Sequence, residues 1–119
     1  MRRITLAATV IALSACAGTP RLSDTMNEAD RQLLEAAHWI AYHGGLSQKV
    51  VWVGVTTGLS GTVRSLSAYC DPVSGQQCRK VIEHIQSPDG RHEAHIGRDC
   101  KQEDGSLILT IDAVAPVVE

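Results

Sequence analysis

The sequence predicts an α+β fold, with one N-terminal helix packed on a small antiparallel sheet of about four to five strands. Two observations carry this prediction. An amphipathic segment ends at Gly44-Gly45, and the segments after it are short, rich in β-branched residues and separated by turn signals. Turns this short join neighbouring strands in antiparallel order. The 119 residues, 44% of them hydrophobic, suit a single domain.

Charge and aromatic content exclude one class of partner. The formal net charge is −2, and aromatic residues make up 3% of the chain, with no Phe. Nucleic-acid binding requires a basic surface, often with aromatic side chains on which bases stack. We therefore expect no nucleic-acid partner.

The first element is a targeting segment. Arg2 and Arg3 precede ten uncharged, mostly apolar residues, 4–13. A helix that crosses a bilayer needs about 20 apolar residues, so this run fits the core of a secretory signal peptide. The signal peptide is predicted to span residues 1–15.

The end of this segment resembles the lipobox of bacterial lipoproteins. Leu13 is followed by two small residues and then by Cys16. The resemblance implies that the Cys16 thiol receives a lipid and that a peptidase cuts before it; a plain secretory signal is the alternative. Two or more acyl chains anchor a protein stably. By the same resemblance, Ala17 favours the outer membrane, because lipoproteins retained in the inner membrane commonly carry Asp at this position. Residues 16–24 are then expected to form a lipidated tether and residues 25–119 the folded domain.

The helix has two possible starts. Thr25 with Glu28, or Asn27 with Asp30, has the spacing of a capping box. The helix is predicted to run to about His43, because the two glycines that follow favour a stop. The residues predicted to form its apolar face are Leu33, Ala37, Ile40 and Ala41, with Leu34 beside them.

Five strands follow the helix. They are predicted over residues 49–55, 62–70, 78–86, 91–99 and 106–114. The intervening segments 57–61, 71–75, 87–90 and 103–105 contain the Gly, Pro, Asp and Ser that favour turns. No internal repeat is visible.

The cysteines predict one disulfide. With Cys16 lipidated, Cys70, Cys78 and Cys100 remain, which permits one intramolecular bond and leaves one thiol over. If residues 88–90 form a three-residue loop, Cys78 lies directly opposite Cys100, close enough for a disulfide. The competing pair is Cys70 with Cys78, which flank the preceding turn.

The spaced motifs of the domain resemble one known family. The motifs are Asp30-Arg31 to Ala37, Val51-Trp52, the Thr-Gly-x-Ser-Gly-Thr-Val stretch at 57–63, Tyr69 with Gly75-x-x-Cys78-Arg79, and Gly97-x-x-Cys100 followed by Asp104-Gly105-Ser106. Over about residues 30–109 they are similar to the C-terminal domain of the seventeen-kilodalton surface antigen family. Its members are outer-membrane lipoproteins of Gram-negative bacteria.

The resemblance carries over some features and not others. Its two cysteines support the pairing of Cys78 with Cys100, and it implies no catalytic residues. This chain departs from the pattern at Val81 and Leu107, where the family commonly has aromatic residues, and Cys70 is extra. The glycine-rich segment that many members carry upstream is missing, so its role in membranes does not transfer.

The histidines do not predict a metal site. His38 and His43 are separated by about 140° around a helix, and His92 and His95 point to opposite faces of a strand. In the hairpin register, His95 opposes Glu83 and His84 opposes Ala94, so only His84 and His92 share a face. Solvent-exposed strand histidines are the expectation, with no metal or cofactor.

No catalytic residue is predicted either. Ser60 and Ser106 lack the Gly-x-Ser-x-Gly context of a nucleophile, and Glu103 and Asp104 lie together in a turn. Cys70 has no predicted base and orienting group beside it. The aromatic helix residues Trp39 and Tyr42 suit core packing or a partner surface. The sequence thus predicts no convergent polar site.

These observations lead to one functional expectation. The chain is expected to be a non-catalytic lipoprotein, anchored to the outer membrane through Cys16, with its domain on the periplasmic or surface face. A structural or protein-interaction role is expected, with a possible envelope protein partner. The first alternative is a lipoprotein inhibitor or accessory subunit of a periplasmic protease or envelope machine. The second is a metal or ligand binder through His84 and His92.

Overall fold

A computed structural model describes residues 21–116 of the chain, and side chains as far as Val114. A short 3-10 helix (Leu22–Thr25) precedes helix α1 (Glu28–His43). Five strands follow: β1 (Lys49–Val53), β2 (Ser60–Cys70), β3 (Gln77–Gln86), β4 (His92–Lys101) and β5 (Leu107–Pro116). The predicted signal peptide and Cys16 lie outside the described residues.

The five strands form one antiparallel meander in chain order, β1-β2-β3-β4-β5. Helix α1 packs on one face of this sheet, mainly over β1 and β2. The predicted α+β class is confirmed, because each strand pairs with the next through a short connection. Within residues 21–116, no helix is long and apolar enough to cross a bilayer.

The strand bounds differ from the prediction by two residues or fewer at each end. The largest local departure is in β2, where a bulge between Ser65 and Ser67 inserts an extra residue, Leu66. The bulge explains why the alternation of apolar and polar residues along this segment is imperfect. A second bulge, in the β4–β5 pair, follows Ile96.

Asn27 and Asp30 form the capping box at the start of α1. The Asn27 side chain accepts a hydrogen bond from the Asp30 backbone N–H at 2.8 Å, and the Asp30 carboxylate accepts one from the Asn27 N–H. Thr25, the other candidate, instead donates its hydroxyl proton to the Leu22 carbonyl in the 3-10 helix. The second of the two predicted starts is therefore the one used.

The end of α1 is capped by a side chain from the sheet. Gly44 stops the helix as predicted, but its backbone is extended, at φ −97°, and not left-handed. The Arg79 guanidinium on β3 donates to the carbonyls of Ala41, at 3.1 Å, and Gly44, at 2.8 Å. A cation is thereby placed at the negative end of the helix, where it is stabilising.

The core lies between α1 and the first three strands. Its buried residues are Leu22, Met26, Ala37, Ala41, Trp52, Leu59, Val63 and Ile85, with Leu33, Leu34 and Val50 packed against them. The prediction that Ile40 faces the core was wrong, since 51% of it is exposed. The buried side of α1 instead includes His38 and Tyr42. The rotation of the helix about its axis is set by the hydrogen bonds of these two side chains to the sheet as well as by apolar contacts.

The folded domain begins earlier than predicted. Leu22 had been assigned to the tether, yet it is 2% exposed and belongs to the core. Its backbone N–H also donates to the buried Glu93 carboxylate on β4. The 3-10 helix is thus part of the domain, and a tether from Cys16 would end near residue 21.

Candidate functional site

A buried network of two histidines and three carboxylates lies between α1 and the sheet. The His38 ring donates from Nδ1 to Asp99 Oδ2 at 2.6 Å and from Nε2 to Glu83 Oε2 at 2.7 Å. His95 lies beside the other Glu83 oxygen, with 2.8 Å from Nδ1 to Oε1, and its Nε2 is 3.2 Å from Glu93 Oε1. All five residues are at most 8% exposed.

Strand alternation places four of these side chains on the face that α1 covers. Glu83 on β3 is directly opposite His95 on β4, and Glu93 and Asp99 have the same parity as His95 along β4. His38 enters from α1, one helical turn before Tyr42, and reaches both strands. The network therefore connects α1 to β3 and β4, two strands that are distant from the helix in sequence.

The hydrogen bonds shift the pKa values of His38, Glu83 and His95 toward their charged forms. Burial lowers the pKa of His38, but its bonds to Asp99 and Glu83 and their negative charges outweigh burial and raise that pKa to about 9. Burial raises the pKa of Glu83, but hydrogen bonds from His38 and His95 outweigh it and lower that pKa to about 2. The bond to Glu83 raises the pKa of His95, against the effect of burial and with help from Glu93.

Each imidazole therefore bonds to a carboxylate at both nitrogens, as a protonated ring does. With both rings protonated and all three carboxyl groups ionised, the network would have a formal charge of −1. Buried ion pairs of this kind persist only when their hydrogen bonds are well formed, because their desolvation is costly. One atom departs from this rule: Asp99 Oδ1 is buried and has no hydrogen-bond partner among the described residues.

Sequence reasoning missed this network. The expectation of no convergent polar site was wrong, and so was the expectation that the strand histidines are solvent-exposed, since His95 is 4% exposed. The hairpin register did place His95 opposite Glu83, and that pairing is confirmed. Sequence reasoning lacked the rotation of α1 about its axis. This rotation places His38 beside Glu83 and covers the Glu83–His95 pair.

A pocket of about 450 Å³ adjoins the network between α1 and β5. The buried side chains of His38 and Asp99 line its inner end. The remaining lining residues are Leu34, Glu35 and Trp39 of α1, with Ser106, Leu107 and Leu109 of the β5 segment. Trp39 was predicted to be core or partner surface and is half-exposed, whereas Tyr42 is buried and donates its hydroxyl proton to the Gln77 carbonyl.

The other face of the sheet, called here the open face, is not covered by any described element. Its exposed apolar residues include Val51 and Val53 on β1, Leu66 on β2, Ile96 on β4 and Ile108 on β5. Four cations lie among them: Lys49, Arg64, Lys80 and Arg98. Among the described side chains of this face, Asp112 is the sole carboxylate, and it pairs with Arg98 at 2.6 Å.

The predicted disulfide is present between Cys78 and Cys100. The two residues are directly paired across β3 and β4, as the three-residue loop predicted, and the Ser87 N–H donates to the Arg91 carbonyl at the base of that loop. Cys70 keeps a free, exposed thiol, so the competing Cys70–Cys78 pair does not form.

The remaining candidate residues fall at scattered positions. His84 and His92 do share the open face and line one groove of about 540 Å³ between β1 and β4. Asp104 accepts hydrogen bonds from Ser106 within the β4–β5 turn. Ser60 lies in that same open-face groove. Within residues 21–116, no group of three or more His, Cys, Asp or Glu side chains is arranged to hold a metal ion.

Comparisons with known protein families, curated proteins and solved structures give no match to this chain. The resemblance to the surface antigen family therefore stays a prediction.

Proposed function

We propose that this chain is a lipid-anchored, non-catalytic outer-membrane protein whose domain binds an acidic surface of another envelope protein through the open face. The observation that carries the binding role is the open face itself, where exposed apolar residues lie among four cations. Exposed apolar patches rimmed by polar residues typically mark interaction sites.

The charges of the open face favour an anionic partner. Lys49 is directly opposite Arg64, and Lys80 is directly opposite Arg98. Like charges at directly opposed positions destabilise a sheet, and Asp112 offsets only the Arg98 charge. An acidic partner would relieve this repulsion, and complementary charge would raise the rate of association.

Apolar contacts would supply the rest of the binding energy. Val51 and Val53, which follow Lys49 on the same face of β1, are 62% and 60% exposed. Ile108 on β5 is 54% exposed. Covering such side chains is favourable by about 25 cal/mol for each Å² removed from water.

The anchoring part of the proposal rests on the sequence of residues 1–16. The positive start, the apolar run and the Leu-Ser-Ala-Cys16 end agree with one another, and the resemblance to the surface antigen family points to the same location. A short tether would hold the domain within reach of membrane-bound partners.

The non-catalytic part is supported by how the histidines are used. Both ring nitrogens of His38 bond to carboxylates, and so do both nitrogens of His95. A general base needs a ring nitrogen that is free to take a proton from a nucleophile. These two rings instead hold the fold together.

Charge reversal on the open face tests the binding role. The variant Arg64→Glu/Lys80→Glu should reduce co-purification of the partner at least tenfold after cross-linking in intact cells. Arg31→Glu, on the exposed surface of α1, is the matched control and should have no effect. Equal recovery of the same partner with both variants would refute the open face as the binding surface.

Lipid labelling tests the anchor separately. Radiolabelled palmitate should enter the wild-type chain and the Cys70→Ser variant but not Cys16→Ser, which should leave the membrane fraction. Incorporation into Cys16→Ser, or none into the wild type, would contradict lipidation at Cys16.

One observation favours the inhibitor alternative. Val73, in the loop between β2 and β3, is 94% exposed. The loop is held by hydrogen bonds to Asp71 from the Ser74 N–H and hydroxyl, both at 2.8 Å, and the Cys78–Cys100 disulfide lies close behind it. A rigid loop with one exposed apolar residue suits insertion into a protease cleft. Val73→Asp should then abolish inhibition of envelope protease activity while leaving the open-face partner bound.

A further inference from the structure

We propose that the pocket between α1 and β5 binds a small apolar molecule that carries a protonated amine. The proposal is independent of the membrane anchor and of the open face, which lies on the other side of the sheet. It rests on the pocket and on Asp99, a residue of its lining that has one carboxylate oxygen without a partner among the described residues.

The size and lining of the pocket suit a small ligand. Its volume of about 450 Å³ is within the usual range for ligand sites, roughly 300–1,000 Å³. Leu34 and Trp39 on α1 face Leu107 and Leu109 on β5 across it, which gives two apolar walls. Such walls bind an apolar body and leave a few polar groups to fix its orientation.

Asp99 is the polar group that selects the ligand. One of its oxygens accepts a hydrogen bond from His38, while the other, Oδ1, has no partner in the described part of the chain. A buried carboxylate oxygen without a partner carries a desolvation cost that a donated hydrogen bond would remove. The ligand should therefore donate a proton to this oxygen.

The surrounding charges favour a cationic donor over a neutral one. The network has three carboxyl groups and two histidine rings, so its formal charge is −1 even with both rings protonated and all the carboxyl groups ionised, and Glu35 adds a carboxyl group at the exposed end of the pocket. The sole cation among the lining residues is the His38 ring, which is already bonded to two carboxylates. An ammonium group between Asp99 and Glu35 would balance these charges, and Trp39 offers a ring face for a cation–π contact.

Entry requires a side chain at the pocket to move, since Asp99 is fully buried. Trp39 is 50% exposed and lies at the outer end of the pocket. Its ring contacts the His43 ring at a centroid distance of 4.0 Å and a tilt of 42°, on the surface of α1 and away from the core, so it can shift without disturbing core packing.

The test is titration of the folded domain with two probes of matched shape, phenethylamine and 3-phenylpropionate, followed by two-dimensional NMR. Phenethylamine should cause saturable shifts of the Trp39 indole N–H and of the Leu107 and Leu109 amides. The indole N–H of Trp52, which is buried in the core, is the internal reference. We expect the amine to bind at least tenfold more tightly than the carboxylate.

Two variants with matched controls localise the binding. Leu109 is directly paired with Asp99, so Leu109→Lys brings an ammonium group of the chain itself to the carboxylate and should weaken phenethylamine binding more than tenfold. Ile108→Lys, on the other face of β5, should leave it unchanged. Glu35→Gln should weaken binding at least threefold, and Glu28→Gln on the first turn of α1 should not.

Three outcomes would overturn the proposal. They are equal affinity for the two probes, shifts that map outside the pocket, and no saturable shift up to about 10 mM phenethylamine. If Leu109→Lys fails to give a dispersed spectrum, the Glu35→Gln and Glu28→Gln pair decides the result. Loss of the open-face partner has no bearing on this test, so the two proposals fail separately.

Discussion

Glu83 is the residue on which the buried network depends most. Each of its two oxygens bonds to a different histidine, so it joins α1, through His38, to β4, through His95. Replacing one partner of a buried ion pair leaves the other charges uncompensated. Substitution of Glu83 is therefore expected to destabilise the domain more than substitution of any other residue of the network.

The variant Glu83→Gln tests this expectation. We expect its free energy of unfolding to fall by about 3 kcal/mol at pH 6, because an amide can neither balance the two rings nor accept at both of its atoms. Urea denaturation followed by circular dichroism would measure the change. The matched control, Glu103→Gln in an exposed turn, should shift the midpoint little. Similar curves for the two variants would contradict a stabilising network.

Gly61 shows how one residue without a side chain sets the packing of the core. It is directly paired with Trp52, and a Cβ at this position would lie 2.7 Å from the indole Nε1 and would also collide with the His84 carbonyl. A glycine within a strand marks such a close approach. We expect Gly61→Ala to destabilise the domain by about 1–3 kcal/mol in chemical denaturation. Thr62→Ala, one residue along on the open face, should cost less; an equal cost would show that Trp52 has room to move.

At the scale of elements, the β3–β4 hairpin is the best-constrained unit. The disulfide joins Cys78 and Cys100 at its open end, and the loop at residues 88–90 closes the other end. A cross-link over 22 residues restricts the unfolded chain, which the chain-entropy model values at about 3 kcal/mol. The hairpin also carries four of the five network residues, so its register aligns the whole buried site.

Removing the cross-link should therefore lower stability without changing the fold. We expect the double variant Cys78→Ser/Cys100→Ser to melt well below the wild type, by an amount equivalent to about 3 kcal/mol. Cys70→Ser should melt like the wild type, since Cys70 has a free, exposed thiol. Calorimetry with and without reductant gives a second measurement. A wild-type transition that is insensitive to reductant would refute this contribution.

Some of these elements could be predicted from the sequence because they depend on residues that are close together along the chain. The helix, the hairpins and the disulfide were predicted from turn residues and alternation, which act over a few residues and set strand register. The bulge at Leu66 and the role of Arg79 as a helix cap depend on contacts between elements, and local patterns do not carry them. His38 was missed for the same reason, because the rotation of α1 is decided by its packing on the sheet.

At the scale of the whole molecule, the two faces of the sheet differ in how their charges are balanced. On the covered face, the buried carboxyl groups of Glu83, Glu93 and Asp99 lie with His38, His95 and Arg79, whereas the open face holds four cations and, among its described side chains, one carboxylate, Asp112. The net charge of the chain is therefore near zero although its open face is a cationic surface. The net charge led to the prediction of no nucleic-acid partner, whereas it is the arrangement of the charges that favours an acidic partner.

The buried charges should also make the stability of the domain depend on pH. The pKa of His38 is raised from 6.5 to about 9, so its stabilising effect is complete below about pH 6.5 and is lost as the pH rises through 9. The pKa of Glu83 is lowered from 4.5 to about 2, so its effect is complete above about pH 4.5 and is lost as the pH falls through 2. Both contributions are complete between about pH 4.5 and 6.5.

The alkaline side of this window can be measured with a single substitution. Between pH 6 and pH 9, the wild type should lose about 3 kcal/mol of unfolding free energy relative to His38→Gln, which has no proton to release at this position. His43→Gln, at the exposed end of the same helix, should keep the wild-type slope. Urea unfolding at five or six pH values would give the three curves. Parallel curves for the wild type and His38→Gln would mean that folding does not raise the pKa of His38, and its bonds at neutral pH would then be ordinary hydrogen bonds rather than ion pairs.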